Sequence, residues 1–172
     1  DSDAATQAET FPEGSGSFDF AVYLTGATEK TVEVDYTVNA LTSTAKLNQD
    51  YTGLSPSGTF TLAPGTSRQN VTVNITSDIV DEPLLQTIQI DLTGGSEENA
   101  TLDGTANTFT ASIQDDDLAP YIYFNNSNTT EANESAAGVT DQVLLTVTMT
   151  DTSEQSVVIP YELGLGTAET DV

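Results

Sequence analysis

The 172-residue chain has no cysteine, no histidine and no tryptophan. Without cysteine it has neither a disulfide framework nor a thiolate nucleophile. Without histidine it lacks the most common general base and a common zinc ligand. No apolar run approaches the ~18 residues of a transmembrane helix, so we expect no direct insertion into a membrane. These absences predict that the chain is not an enzyme and has no catalytic residues.

Basic residues are also scarce. Lys30, Lys46 and Arg68 oppose 27 acidic residues, which gives a formal net charge of −24. Nucleic acids and anionic membrane surfaces are therefore poor partners, because phosphate binding needs clustered Lys and Arg. Such a charge predicts high solubility with strong self-repulsion at low salt. Because divalent ions relieve that repulsion, we expect an extracellular or cell-surface setting.

Most apolar residues alternate with polar ones. The predicted strands lie at residues 18–24, 31–38, 58–62, 70–75, 87–92 and 108–114. Strict alternation over such lengths marks half-buried strands of antiparallel sheets. Turn signals such as Ala63-Pro64-Gly65 and Thr93-Gly94-Gly95 separate these strands. About seven short strands in this length predict an all-β, immunoglobulin-like antiparallel β-sandwich.

Three consecutive aspartates, Asp115, Asp116 and Asp117, follow the last of these strands. Each close pair of carboxylates costs about 1 kcal/mol in bulk water, and more where water is excluded. A hard cation removes that cost, and calcium accepts about 6–8 oxygen ligands. The run therefore predicts a calcium site. The alternative is a solvated acidic linker between domains.

The strand pattern restarts after Asp117, with strands predicted at residues 121–124, 142–149 and 156–161. Tyr36 aligns with Tyr161 and Ala45 with Ala168, so residues 118–172 are interpreted as the first part of a second, incomplete module. Residues 1–117 form the first. Half a sandwich cannot bury both sheet faces. We therefore expect a fragment of a longer protein, or strand exchange.

Ordered pieces of sequence between residues 9 and 117 carry a family resemblance. They are Pro12-Glu13-Gly14-Ser15-Gly16, Val34-Asp35-Tyr36, Gln49-Asp50-Tyr51, Gly58-Thr59-Phe60-Thr61-Leu62-Ala63-Pro64-Gly65, Asp81-Glu82-Pro83 and Ile113-Gln114-Asp115-Asp116-Asp117. In this order and spacing they resemble the Calx-beta family. The resemblance implies a seven-stranded sandwich with calcium ions at one end. Such modules regulate sodium–calcium exchangers, and occur in an integrin subunit and as repeats in large bacterial surface and adhesion proteins.

The resemblance also implies a set of calcium ligands in the loops of one sandwich end. Carried over residue by residue, they are Glu13, Asp50, Asp78, Asp81, Glu82, Asp115, Asp116 and Asp117. Each has a plainer alternative. Asp50 can form an Asx-type turn, Glu13 can be a turn residue, and the three acids from Asp78 to Glu82 can belong to a charged hairpin loop.

The chain departs from the exchanger-type pattern at two places. Thr76-Ser77-Asp78 stands where that pattern has a full aspartate run, and Leu84-Leu85-Gln86 lacks an acidic residue expected there. The missing carboxylates lower the expected number of ions to one or two. They favour a weak site of the extracellular class, with a dissociation constant of roughly 10⁻⁴–10⁻³ M.

These features favour a calcium-binding structural or adhesion module of an extracellular, bacterial multi-domain protein. Calcium would rigidify the loop end and the joint between modules. Its expected partners are neighbouring modules of the same chain and a cell-surface or polysaccharide ligand. The alternatives are a calcium-sensing regulatory domain of a membrane protein and a carbohydrate-binding β-sandwich. The absence of tryptophan weighs against the last of these.

Overall fold

A computed structural model describes residues 8–125 and 144–162, which form β-strands and one short 3-10 turn. The strands are β1 (Ala8–Pro12), β2 (Ser17–Tyr23), β3 (Val32–Val38), β4 (Tyr51–Thr52), β5 (Ser57–Leu62), β6 (Arg68–Ile75), β7 (Leu85–Glu98), β8 (Thr108–Gln114), β9 (Ile122–Phe124) and β10 (Val147–Met149). The turn, Glu13–Ser15, follows β1. Among these residues there is no helix long and apolar enough to cross a membrane.

Two sheets form the predicted β-sandwich. One has five strands in the order β1-β8-β7-β3-β5, and the other has three in the order β2-β6-β4. The pairs are antiparallel except for β1 and β8, which run parallel. Alternation explains the packing, because in β2 Phe18, Phe20 and Val22 are buried while Asp19 between them is exposed and Ala21 is half-buried. The prediction of an all-β sandwich is confirmed.

Aromatic rings connect the two sheets through the core. Phe20 on β2 stacks on Phe109 of β8, with ring centroids 4.9 Å apart. Phe20 also packs edge-on against Phe60 of β5, with ring centroids 6.0 Å apart. Within the five-stranded sheet, Phe60 stacks on Tyr36 of β3 at 4.2 Å. Such pairs add about 0.5–1.5 kcal/mol each beyond the area they bury. These ring contacts therefore help to hold the two sheets together in the core.

The predicted turn at Thr93-Gly94-Gly95 is wrong, because β7 continues through it to Glu98. Its pairing with β3 shifts between Glu33 and Asp35, so that Asp35 lies opposite Thr93 while Glu33 lies opposite Glu98. Glycine inside a strand often marks such a bulge rather than a turn. The two glycines lie within this irregular stretch, and the strand continues beyond it.

The short strand β1 was not predicted, and it positions the acidic end of the sandwich. It pairs in parallel with β8, and the register places Pro12 opposite Gln114. Two parallel strands in this register end at the same level. The residues that follow them, Glu13 and Asp115, therefore leave the sheet side by side.

After residue 117 the chain forms a separate two-stranded sheet of β9 and β10. The strand predicted at 121–124 is confirmed for 122–124, and the one predicted at 142–149 is confirmed for 147–149 but not for 144–146. Residues 142, 143 and Ala168 lie outside the described residues. The strand predicted at 156–161 is wrong: all six residues are exposed and none forms a strand. Pro160 within it has no N–H to donate to a ladder. The boundary between modules at residues 117 and 118 stays a prediction.

Substitution of Gly58 by alanine is expected to destabilise the sandwich. An added Cβ would lie 2.8 Å from Cε1 of Tyr36, whose ring is buried against Phe60. Relieving such overpacking costs about 1–3 kcal/mol. Urea unfolding should therefore show a lower midpoint for Gly58→Ala.

Gly104→Ala is the matched control, because no heavy atom lies within 4 Å of its added Cβ. It should change the free energy of unfolding by less than about 0.5 kcal/mol. Equal midpoints for the two variants would contradict the packing of Tyr36 described above.

Candidate metal centre

Three carboxylates converge where β1 and β8 end. Glu13 lies in the 3-10 turn after β1, and Asp115 and Asp117 follow β8. One carboxylate oxygen from each lies within 4.8 Å of the others. The parallel register of the two strands produces this convergence, although about a hundred residues separate the acids in sequence.

Glu13 is the most buried member of this group, which we call the acidic trio (Glu13, Asp115 and Asp117). Its residue is 3% exposed. Its Oε1 accepts a hydrogen bond of 2.8 Å from the backbone N–H of Asp78. Its Oε2 is also buried, and no donor reaches it from the described part of the chain. Because leaving a buried polar group without a partner costs about 1–3 kcal/mol, and more for a charged one, this oxygen calls for a ligand.

The other two members repeat this pattern. Oδ1 of Asp115 and Oδ2 of Asp117 are buried and receive no hydrogen bond within residues 8–125 and 144–162. Burial raises the pKa of all three carboxyls, and their mutual repulsion raises the pKa of Glu13 and Asp115 further. Repulsion from Asp116 raises the pKa of Asp117. The protein alone therefore disfavours the charged state that a cation would stabilise.

The acidic trio fits calcium in donor type and in spacing. Calcium takes carboxylate oxygens at about 2.3–2.6 Å, so ligands on opposite sides of one ion lie about 4.6–5.2 Å apart. Oxygens within 4.8 Å of one another can therefore contact the same ion. Water or backbone carbonyls would complete the shell. Soft metals are disfavoured, since the site offers neither sulfur nor imidazole.

Two predicted ligands, Asp78 and Asp116, border the acidic trio. Asp78 donates its backbone N–H to Glu13, and its Oδ1 accepts the N–H of Val80 at 2.8 Å. Oδ2 of Asp116 lies 3.4 Å from where a Cβ on Gly14 would stand, so this carboxylate lies beside the turn that holds Glu13. The backbone of Asp78 and the side chain of Asp116 thus lie beside the site, while the acidic trio supplies the oxygens that meet.

Asp50 and Glu82 form a second pair of buried acids. Asp50 is 5% exposed, and its Oδ2 accepts the backbone N–H of Lys46 at 2.6 Å. Glu82 is 7% exposed; its burial, with repulsion from Asp50 next in size, raises its pKa from 4.5 to about 7. This hydrogen bond runs back to a residue four positions earlier, so it differs from the Asx-type turn offered as the alternative for Asp50. The structure does not bring these two acids into the group whose oxygens lie within 4.8 Å.

Asp81, the remaining predicted ligand, contacts residues that follow β10. Its Oδ2 accepts a hydrogen bond of 2.6 Å from the hydroxyl of Ser153. Residues after β10 were not recognised as part of this end of the molecule. Nothing in the sequence signals a contact across 72 positions between two short polar side chains.

No family model matches the chain, and no curated protein matches it. Solved structures do. The apo form of the Calx CBD1 domain is 22% identical with a TM-score of 0.53, and the match covers 64% of this chain and 91% of that one. CBD12 structures from CALX1.2 and CALX1.1 are each 25% identical with TM-scores of 0.52. Those matches cover 70% of this chain and 46% of each CBD12 chain. The fold is that of the Calx calcium-binding domains, which confirms the predicted resemblance at that level.

In the absence of calcium, the protein should become more stable as pH falls from about 8 to about 5. A carboxyl whose pKa is raised on folding binds its proton more tightly when folded, so folding is favoured as pH drops through that pKa. Glu82, with a pKa of about 7 against 4.5, sets the window between those values. Thermal melts in EDTA across this pH range should show a melting midpoint that rises as the pH is lowered.

Glu82→Gln should remove much of that rise, since the neutral amide is already in the favoured charge state. Glu29→Gln makes the same change of charge at an exposed site and should keep the rise. A melting midpoint that falls as the pH is lowered from about 8 to about 5 in the unsubstituted protein would contradict the raised pKa.

Proposed function

We propose that the chain is a non-enzymatic calcium-binding structural module of an extracellular multi-domain protein. In this proposal the acidic trio holds calcium, with Asp116 and the backbone around Asp78 beside it. Calcium rigidifies the loop end of the first module and the joint to the second. The protein's own role is mechanical, and calcium determines how stiff it is.

The observation that carries the proposal is the buried Oε2 of Glu13. It has no donor within the described chain, and one carboxylate oxygen of Glu13 lies within 4.8 Å of oxygens of Asp115 and Asp117. A structural carboxylate would accept hydrogen bonds at both oxygens, or would face water. A cation satisfies it and cancels the repulsion from Asp115 and Asp117. The calcium-binding domains of CALX1.1 and CALX1.2, at 25% identity, support the choice of calcium.

Calcium at the acidic trio would tie two ends of the fold together. Glu13 belongs to the turn that leaves β1, and the aspartates belong to the segment that leaves β8 toward the second unit. At ten times its dissociation constant, one ion adds about 1.4 kcal/mol of stability. Without the ion, the clustered carboxylates push the two segments apart.

The setting we propose is the surface of a bacterial cell. A net charge of −24 suits a medium rich in divalent cations. A site made of three converging carboxylates suits the weak, millimolar class of extracellular calcium modules better than a cytosolic sensor. The adhesive ligand would be a cell-surface molecule or a polysaccharide. A calcium sensor of a membrane protein is the competing function, and saturation at micromolar calcium would favour it.

Calcium should raise the melting temperature, with little effect from magnesium. Calcium at ten times its dissociation constant should add roughly 3–8 °C. Magnesium demands a tighter octahedral shell and gives up water reluctantly, so its effect should be smaller. A thermal melt across a calcium titration, started in EDTA, measures both the size of the effect and the affinity.

Glu13→Gln and Asp117→Asn should each abolish most of the calcium-dependent rise, whereas Glu29→Gln should preserve it. All three remove one negative charge, so they separate ligation from a general effect of charge. An unchanged midpoint in calcium for the unsubstituted protein would overturn the proposal and leave a metal-free spacer domain.

A further inference from the structure

The chain after β10 returns to the first sandwich and pairs with its β6–β7 loop. The backbone N–H of Asp81 donates to the carbonyl of Thr152 at 3.3 Å, and the N–H of Glu154 donates to the carbonyl of Asp81 at 2.9 Å. These two bonds form a parallel bridge between Asp81 and Ser153. We call residues 152–155 the docking segment.

Side chains of the docking segment engage both carboxylate oxygens of Asp81. The Ser153 hydroxyl donates to Oδ2 at 2.6 Å. The amide of Gln155 donates to the carbonyl of Glu82 at 2.8 Å and lies 3.4 Å from Oδ1 of Asp81. With these contacts Asp81 is 9% exposed. A buried carboxylate with donors at both oxygens is a satisfied group.

An ion pair adds a second attachment. The ammonium of Lys46 contacts the carboxylate of Glu154, and it is the one ion pair found among residues 8–125 and 144–162. Lys46 is one of only three basic residues in the chain. Exposed ion pairs contribute little stability. The main effect of the Lys46–Glu154 pair is therefore to favour this position on an acidic surface for an acidic segment.

We propose that Asp81 is the docking residue for the second module, and that its carboxylate is thereby withheld from the calcium shell. The contrast with the acidic trio supports this division. Each member of the trio has a buried oxygen that lacks a donor within the described chain, whereas Asp81 meets two donors from the docking segment. Neighbouring acids of one loop end thus serve two different partners. The statement about the calcium shell rests on the proposed function; the docking itself does not.

Distances between two spin labels test the docking directly. The full chain has no cysteine, so labels at Thr61→Cys on β5 and Val158→Cys beyond the docking segment are specific. Both positions are exposed and lie outside the contacts described. Pulsed electron double resonance in EDTA should give one narrow distance distribution. Adding Ser153→Ala and Gln155→Ala should broaden it, while Ser156→Ala should not.

Calorimetric calcium titration tests the second claim, that the Asp81 carboxylate does not bind calcium. Asp81→Ala should leave calcium affinity within about threefold, the effect of losing one screened charge nearby. Asp117→Asn should weaken calcium affinity by about tenfold or more. Mutating a residue that only hydrogen-bonds to a metal ligand already lowers affinity by about that factor, and Asp117 is proposed to be a ligand itself. The inference is overturned if the double alanine variant keeps the narrow distribution, or if Asp81→Ala weakens calcium binding as much as Asp117→Asn. If no calcium binds to the unsubstituted chain, the proposed function fails while the distance result still decides the docking.

Discussion

The parallel pairing of β1 with β8 is the contact on which the acidic end of this protein depends. Because both strands run the same way and Pro12 lies opposite Gln114, they end together. Glu13 and the aspartate run then leave the sheet as neighbours. An antiparallel partner in this position would place the residue after β1 at the opposite end of β8. The same pairing extends the five-stranded sheet, so the core and the acidic trio share one structural element.

Electrostatics explains why this end is poised to bind a cation. The chain has three basic residues against 27 acidic ones, and Lys46 is committed to Glu154. The acidic trio therefore has no protein counter-ion among its described contacts. Burial and repulsion raise the pKa of its carboxyls, and a divalent cation reverses both effects at once. Relief of the repulsion between the three carboxylates therefore favours binding of the cation.

The parts of this picture that could be predicted are those with a local signal. Alternation of Phe18, Phe20 and Val22 identifies a strand and its buried face, and three adjacent aspartates identify a loop end with unusual charge. The strand β1 has no such signal, because it is short and ends in a proline. The bulge at Gly94 and Gly95 imitates a turn.

The docking segment could not be predicted at all, because hydrogen bonds between Ser153, Gln155 and a loop 72 residues away leave no pattern in a single sequence. Sequence reasoning found all three members of the acidic trio. It could not separate them from Asp81, whose surroundings depend on that distant contact. Of the eight predicted ligands, the structure brings together the oxygens of three, while Asp81 contacts the docking segment.

The central claim is that one calcium ion lies between Glu13, Asp115 and Asp117. Crystals grown in calcium, with anomalous diffraction data collected, would test it most directly. The account predicts an anomalous peak about 2.3–2.6 Å from a carboxylate oxygen of each of the three residues. The absence of a peak there at saturating calcium, with the three side chains ordered, would contradict it.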